Sequence, residues 1–348
     1  MKESSSEPWP VRCESMSRAI DYVKNCAEAL YPMGMDTAQD WCVTLLAKAK
    51  DSAPIADFER QVKGEIAENA GSGQVSCILA PLPSGTIAET KRITFSIGDD
   101  SLSALQKSLN GLFSKSLDAV LHPASLHWSQ YKLIVLDLDS TLVTCEGIDE
   151  LAKMMGIGEK VAEITSSAMR GEIDFQQSFR KRVALLRGLE FERVLDFAKT
   201  VEVTAGATLL LRTLKSAGYK TAIATGGFDL IASRLQRELC IDDFCANTLE
   251  VADGRLTGEV KTTIIDGAGK AEFVSRLAKQ QGIALSEVIV VGDGANDIPM
   301  MQLAGLSIAF HGKPKVQEAA TCAVRNGGLD ALLYILQLDG KEVSALTN

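Results

Sequence analysis

The sequence lacks the features of a membrane-bound or secreted protein. No apolar run approaches the roughly 18 residues that a membrane-spanning helix needs. Residues 1–17 lack the apolar segment of a secretory signal. The eight cysteines are scattered without a C-x-x-C pair, which argues against a disulfide framework and against a zinc site. We therefore expect a cytoplasmic protein with reduced thiols and no membrane partner.

Positive charge is also scarce. Lys and Arg total 36 against 45 Asp and Glu, so the formal net charge is −9. An acidic protein repels polyanions at long range, and no stretch interleaves basic with aromatic residues, so we expect no nucleic-acid partner. A local basic pocket for a small anion stays compatible with this composition. The 46% of hydrophobic and 23% of charged residues are typical of a globular protein.

The N-terminal part of the chain has short, mixed patterns. Residues 1–14 have the composition of a flexible tail. Residues 15–128 predict a small α+β domain with elements in the order β-α-β-β-α and a last strand before Lys132. Helices are expected at about 15–32 and, from leucines at helical spacing, at 102–121.

The pattern changes at about residue 129. Apolar strands at 133–137, 219–225, 287–293 and 306–310 alternate with helices, which predicts an α/β domain over 129–340 with a doubly wound parallel sheet. Residues 146–205 interrupt the alternation with helical patterns and no strand. We expect this insertion to form a helical cap over the strand ends, where ligands of such sheets bind. The sequence LEVADGRLTGEV at 249–260 predicts a hairpin that turns at DG beside the site.

Two carboxylates follow the first strand of this domain, in DLDST at 137–141. Asp293 follows another strand in GDGANDIPM, so Asp137 and Asp293 are expected at the same edge of the sheet. Carboxylate oxygens are ligands that Mg²⁺ prefers, and Asp297 could support Asp293 as a ligand. An Asp at a strand end is equally an ordinary turn or cap residue, so both interpretations are open for Asp137 alone.

Three further polar segments fall at the same predicted edge. Thr225 and the two glycines of TGGF could bind an anion through a hydroxyl and backbone N–H groups, although a plain turn is the simpler explanation of this tetrapeptide alone. Lys270 could neutralise a phosphate, but most single lysines are solvated. Asn296 lies at a predicted helix start, where helix capping competes with a role in binding.

Taken together, these motifs resemble those of the haloacid dehalogenase-like superfamily of phosphatases. DLDST matches the D-x-D-x-T signature, Thr225 and Lys270 match the hydroxyl and lysine motifs, and residues 292–297 match G-D-G-x-N-D. Glu146 and the run MRGEIDFQQSFRKRV resemble the cap of the phosphoserine phosphatase family. The resemblance covers residues 131–335. It departs at Thr225, where the family commonly has Ser, and at Leu138, where Phe or Met is common.

The resemblance implies a Rossmannoid core with a cap and a Mg²⁺-dependent hydrolysis of O-phospho-L-serine, the last step of serine biosynthesis. Asp137 would be the nucleophile that forms a phosphoaspartyl intermediate, and Asp139 would be the general acid and base. Mg²⁺ would be held by Asp137, the backbone carbonyl of Asp139 and Asp293. The residues implied to bind the phosphorylated substrate are Thr225, Gly226, Lys270 and Asn296.

The resemblance also implies how the cap would select the substrate. Glu146 would bind the amino group of phosphoserine, and Arg182 would bind its carboxylate with a two-pronged hydrogen bond. Arg180 is the second choice for that role, and a solvated helix face is the alternative explanation of the RKR run. Phe175 and Met169 would exclude water when the cap closes.

Several alternatives stay open at this point. A related phosphatase or phosphotransferase could act on another small phosphorylated amino or hydroxy compound. A non-catalytic metabolite-binding protein is the rival of a different class, although the pair Asp137 and Asp139 argues against it, because binding a phosphate needs no nucleophile.

The N-terminal domain resembles amino-acid-sensing ACT domains, and a packing or dimerisation module is its alternative. A homodimer, an effector and feedback by serine are not decided by the sequence.

Overall fold

The computed structural model of the chain describes residues 39–48, 55–70, 75–82, 85–112, 116–261 and 263–347. The predicted tail at 1–14 and the predicted helix at 15–32 lie outside these residues. None of the helices in the described part of the chain is long and apolar enough to cross a membrane.

The N-terminal part forms a four-stranded antiparallel sheet with two helices, in the strand order β2-β3-β1-β4. Its elements are β1 (Gln39–Lys48), α1 (Ile55–Ala70), β2 (Val75–Leu79), β3 (Ile87–Ile97), α2 (Asp99–Asn110) and β4 (Leu117–Pro123). The predicted helix at 102–121 is wrong beyond Asn110, because β4 begins at Leu117. This strand is buried on both faces, and a continuously apolar strand cannot be told from a buried helix by periodicity.

Six parallel strands form the second sheet, in the order β12-β11-β10-β5-β6-β7. They are β5 (Leu133–Leu136), β6 (Lys220–Phe228), β7 (Asp243–Asn247), β10 (Val288–Gly292), β11 (Leu306–Phe310) and β12 (Cys322–Val324). The predicted doubly wound α/β fold is confirmed. The sequence patterns missed β7, whose sequence DFCAN is not a continuous apolar run, and β12, which has only three residues.

Helices connect and cover these strands. After the four helices of the cap, which are described below, the chain forms α7 (Ala207–Ser216), α8 (Asp229–Glu238), α9 (Gly267–Gln281), α10 (Ile298–Met301), α11 (Pro314–Ala319), α12 (Ala331–Ile335) and α13 (Gly340–Thr347). The chain builds the sheet outward from β5 through β6 and β7, and then returns to the other side of β5 with β10. The strand order therefore reverses between β5 and β10, which is where open α/β sheets bind their ligands.

The expected helical cap is present as four helices between β5 and α7. They are α3 (Gly147–Met154), α4 (Gly158–Met169), α5 (Phe175–Leu185) and α6 (Phe191–Thr200). The expected hairpin is formed by β8 (Leu249–Ala252) and β9 (Arg255–Val260), and it turns at Asp253 and Gly254 with positive φ angles of 49° and 71°. Leu256 of the hairpin exchanges two backbone hydrogen bonds with the cap, with Gly188 and Leu189.

The two sheets share one hydrophobic core in the described part of the chain. Leu46 of β1 and Val120 of β4 belong to the same buried cluster as Ile134 of β5 and Leu332 of α12. The predicted division of the chain at residue 129 and the resemblance of the N-terminal part to ACT domains stay predictions.

Candidate active site

Asp137 is held rigidly at the carboxyl end of β5. All four residues of β5 are fully buried, and the strand is paired on both sides, with β10 and β6. The backbone N–H of Asp137 donates to the carbonyl O of Val291 at 2.8 Å, which continues the pairing with β10 by one residue. Asp137 is only 5% exposed. Burial, followed by the charge of Asp297, raises the pKa of Asp137 well above its ordinary value.

Lys270 lies between two of the site carboxylates. Its Nζ donates to Asp137 Oδ1 at 2.6 Å and to Asp297 Oδ1 at 2.7 Å, and all three side chains are almost fully buried. Burial lowers the pKa of Lys270, but the two carboxylates outweigh burial and hold this pKa above its ordinary value. Lys270 is therefore a fixed cation rather than a solvated surface lysine. It lies in the first turn of α9, and Asp266 caps the N-terminus of this helix by accepting through Oδ1 from the Gly269 N–H at 3.0 Å.

Three carboxylates form a cluster at the reversal point of the sheet. One oxygen each of Asp137, Asp293 and Asp297 lie within 4.8 Å of one another. Burial, followed by the charge of Asp297, raises the pKa of Asp293 to about 6. Gly292 is required beside this cluster, because a side chain there would collide with the Asp297 carboxylate. One lysine does not balance three carboxylates, so the donor set fits a divalent cation.

Asp139 lies in an irregular turn, two residues beyond Asp137. Ser140 has a positive φ of 57°, and this left-handed residue redirects the chain after β5. Asp139 Oδ1 accepts a hydrogen bond from the Gly147 N–H at 2.9 Å. Burial, followed by the charge of Glu146, raises the pKa of Asp139 to about 7. The two carboxylates of DLDST therefore have different environments, one against Lys270 and one against the start of the cap.

The TGG segment (residues 225–227) lies at the end of β6. Strand β6 runs to Phe228, beyond the predicted end at residue 225, but its pairing with β7 is interrupted between Ala224 and Phe228. Thr225 is fully buried, and its Oγ1 accepts from the Gly227 N–H at 2.8 Å. A Cβ at Gly227 would collide with Asp139 Oδ2, and one at Gly226 would lie 3.1 Å from the Phe175 ring, so both positions are closely packed.

The cap places Glu146 and Arg182 near the site carboxylates. Glu146 is exposed and accepts a hydrogen bond from Ser140 Oγ at 2.7 Å. Arg182 is half-buried, and its Nε is buried without a hydrogen-bond partner. Burial lowers the pKa of Arg182, and the charge of Asp149 is the first to oppose this. Arg180 is exposed instead.

Other predicted residues are placed less decisively. Asn296 is half-buried in the turn that follows β10, with its carbonyl O 2.8 Å from the position that a Gly267 Cβ would take. Phe175 stacks on Phe179 inside the cap, with 6.0 Å between ring centroids. The Met169 side chain lies outside the described residues.

Two residues that the sequence patterns did not reveal connect parts of the site. Asn247 donates through Nδ2 to the Gly226 carbonyl at 2.8 Å and accepts through Oδ1 from the Ile265 N–H at 2.9 Å. Asp266 accepts from Nε2 of the cap residue Gln176 at 2.8 Å. No local signal marks either residue, because an Asn at a strand end and an Asp before a helix are both typical of ordinary turns and caps.

Comparison with known proteins assigns this fold and site to a class. A family model for haloacid dehalogenase-like hydrolases matches residues 131–305, half of the 348-residue chain. The matched region contains the cap, the TGG segment and the acidic cluster. The chain therefore belongs to the haloacid dehalogenase-like hydrolases.

Particular relatives narrow the assignment. A phosphoserine phosphatase of Streptomyces coelicolor is 46% identical over 229 residues, which are 66% of this chain and 56% of that protein. The crystal structure of a probable phosphoserine phosphatase from Vibrio cholerae is 32% identical, with a TM-score of 0.65 over 90% of each chain. A phospho-aspartyl intermediate analogue of phosphoserine phosphatase is 42% identical, with a TM-score of 0.56 over 59% of this chain and 99% of that chain.

Within the class, the chain belongs to the phosphoserine phosphatase family, and the predicted resemblance is confirmed. It spans little more than half the length of the Streptomyces relative.

Proposed function

We propose that the chain hydrolyses O-phospho-L-serine to L-serine and phosphate. The observation that carries the proposal is the pair Asp137 and Asp139, two residues apart but in different environments. Asp137 lies against the Lys270 ammonium, whereas Asp139 has a pKa of about 7 and can both give and take a proton near neutral pH. A protein that only binds phosphate needs neither arrangement.

The first half of the reaction uses both carboxylates. An oxygen of Asp137 attacks phosphorus, a new O–P bond forms, and the bond between phosphorus and the serine oxygen breaks. Asp139 donates its proton to the departing serine oxygen. The hydroxyl of Thr225, the Gly226 N–H and Lys270 stabilise the charge on the phosphoryl oxygens as it develops.

The second half reverses the role of Asp139. The deprotonated carboxylate takes a proton from a water molecule, whose oxygen attacks the phosphoaspartyl group. The O–P bond to Asp137 breaks, phosphate leaves, and both carboxylates return to their starting states. The Gly147 N–H that donates to Asp139 keeps this side chain in place through both halves.

We propose Mg²⁺ as the divalent cation of the acidic cluster. Asp137, Asp293 and the backbone carbonyl of Asp139 would hold it, with Asp297 bound to Lys270 at the edge of the cluster. The bound ion would neutralise phosphoryl oxygens and keep Asp137 ionised despite its burial. Burial and the neighbouring charge of Asp297 raise the pKa values of Asp137 and Asp293, and a bound cation would oppose both effects.

We propose that Glu146 and Arg182 select the serine part of the substrate. The buried Arg182 Nε has no hydrogen-bond partner in the described part of the chain. A buried N–H without a partner costs free energy, and a substrate carboxylate that accepts from this N–H would remove that cost. Glu146 would offer its exposed carboxylate to the substrate amino group. Phe175, packed above Gly226, would exclude water, and Asn296 would contact the phosphoryl group from the turn after β10.

A phosphate-release screen tests the function directly. The chain is assayed with Mg²⁺ on phosphoserine, phosphothreonine, phosphohomoserine and sugar phosphates. We expect phosphoserine to have the highest kcat/KM. A preference for another phosphorylated amino or hydroxy compound would indicate that the chain is a related phosphatase with a different substrate. Phosphate release from none of the compounds would favour a binding protein.

A further inference from the structure

Asn247 connects the TGG segment to the loop in front of α9. It is the last residue of β7 and is fully buried. Its side-chain amide makes two hydrogen bonds, to the Gly226 carbonyl and from the Ile265 N–H. A buried amide with both ends engaged has one orientation, because rotating it would place like groups against each other.

Asn247 and Thr225 bind opposite ends of one peptide group. The Gly226 carbonyl and the Gly227 N–H belong to the same planar unit. Its carbonyl accepts from Asn247 Nδ2 at 2.8 Å, and its N–H donates to Thr225 Oγ1 at 2.8 Å. Since the unit is planar, fixing the direction of the carbonyl also fixes the direction of the N–H.

The fixed peptide determines how the Thr225 hydroxyl is used. A hydroxyl has one hydrogen to donate and two lone pairs that accept. Because one lone pair of Oγ1 accepts from the Gly227 N–H, the hydroxyl hydrogen must point away from that peptide. The hydroxyl is thus prepared to donate to an oxyanion.

We propose that Asn247 is a positioning residue for phosphoryl transfer. It orients the peptide between Gly226 and Gly227, and through this peptide it directs the donor hydrogen of Thr225 at the phosphoryl oxygens. Asp139 Oδ2 packs against Gly227, so a rotated peptide would also disturb the general acid. The inference rests on the proposed role of the TGG segment in binding the phosphoryl group.

A double-mutant cycle separates positioning from a merely structural role. The variants are Asn247→Leu, Thr225→Val and the combination, assayed in the full chain with Mg²⁺ on O-phospho-L-serine and p-nitrophenyl phosphate. We expect each single variant to lower kcat about 100- to 1,000-fold, as loss of one oxyanion donor does. The double variant should be no slower than the slower single variant, because both changes remove the same donor.

Thr248→Val is the matched control. It removes a neighbouring hydrogen bond, from Thr248 Oγ1 to Asp229 Oδ2 at 2.7 Å, that does not involve the TGG segment. We expect an unchanged kcat. If circular dichroism shows that Asn247→Leu does not fold, Asn247→Ala takes its place in the cycle, since it leaves space for a water beside the Gly226 carbonyl.

The outcomes are distinct. Losses of kcat that multiply in the double variant would overturn the role of Asn247 and leave the proposed function standing. An equal loss in Thr248→Val would also overturn it, because the effect would then come from local loosening. Hydrolysis of neither substrate by the unchanged chain would overturn the proposed function and this inference together.

Discussion

The Nζ of Lys270 lies 2.6 Å from Oδ1 of Asp137, although 133 residues separate them in the chain. The same ammonium donates to Asp297, so one buried cation is shared by two carboxylates of an acidic cluster. Removing one partner of such a buried ion pair leaves the other charge uncompensated. The Lys270 ammonium opposes the effect of burial on the pKa of Asp137 and holds the carboxylate of the proposed nucleophile in a single orientation.

Asp137→Asn should abolish turnover without unfolding the chain. The amide keeps the shape of the side chain but cannot attack phosphorus, so we expect kcat to fall by about 10³-fold or more. Lys270 keeps Asp297 as a partner, and the change removes one of three clustered negative charges, so the midpoint of thermal unfolding in chelator should not fall. Turnover at a rate near that of the unchanged chain would exclude Asp137 as the nucleophile.

Asp330→Asn is the control for that experiment. Asp330 is a fully buried carboxylate outside the site that accepts from the N–H and the hydroxyl of Thr86, each at 2.6 Å. We expect lower stability and retained kcat, the opposite of Asp137→Asn.

Mg²⁺ should stabilise the folded chain through the acidic cluster. A ligand that binds only the folded state adds about 2.7 kcal/mol of stability at 100 times its Kd. We expect Mg²⁺ to raise the unfolding midpoint after treatment with chelator and to restore turnover. Asp293→Asn should reduce the shift of the midpoint, whereas Asp253→Asn, in the hairpin turn, should not. An equal shift in both variants would place the ion elsewhere.

Arg182→Met should affect phosphoserine far more than p-nitrophenyl phosphate. The aryl phosphate has no carboxylate, so it loses nothing when the guanidinium is removed. We expect the ratio of the two kcat/KM values to fall about 100-fold, which corresponds to one charge-assisted hydrogen-bonded pair. Glu146→Gln should shift this ratio in the same direction. Arg180→Met is the matched control on the exposed side of α5, and a larger effect there would reassign the carboxylate contact to Arg180.

Gln176→Ala should raise KM with little change in kcat. The Gln176 side chain links cap helix α5 to Asp266, whose other oxygen caps the helix that carries Lys270. Losing one hydrogen bond of this kind costs about 0.5–1.5 kcal/mol, so a KM increase of about 2- to 10-fold is expected if the bond favours the closed cap. Gln177→Ala, one position along the same helix, should leave KM unchanged. A fall in kcat alone would argue for an effect on chemistry instead.

The stability of the N-terminal sheet should fall below neutral pH because of His122. This side chain is fully buried, with Nε2 2.8 Å from Thr44 Oγ1 and Nδ1 2.9 Å from the Pro123 carbonyl O. Burial, with the charge of Arg92, lowers its pKa from 6.5 to about 4. Between these values the unfolded chain binds a proton that the folded chain does not, so the free energy of unfolding decreases as pH falls.

His122→Gln tests this titration. By pH 5 the contribution of His122 amounts to about 2 kcal/mol relative to pH 7.5. Urea unfolding at the two pH values should show a smaller difference for His122→Gln than for the unchanged chain. His127→Gln, in the turn after β4, should not reduce the difference. If the difference is the same in all three chains, His122 does not control the pH dependence.

Much of the architecture was predictable from local patterns. The strands of the parallel sheet are continuous apolar runs, and the cap helices show helical periodicity, so both were found without knowledge of contacts. The errors lie where the patterns fail: β4 was assigned to a helix, β7 was missed because DFCAN is not a continuous apolar run, and β12 was missed because it has three residues. The site carboxylates were found because strand ends of a parallel sheet share an edge.

The sequence by itself determined the class of fold, the cap and the identity of the chemical groups at the strand ends. Only the tertiary structure decided their partners. In the sequence Lys270 looks like any surface lysine, but in the structure α9 places it against Asp137. Asn247 looks like a loop residue, but in the structure it lies at the end of β7 and binds Gly226. The physical reason is that strand and helix patterns are set by neighbouring residues, whereas a buried hydrogen bond or ion pair is set by groups that meet only when the core closes.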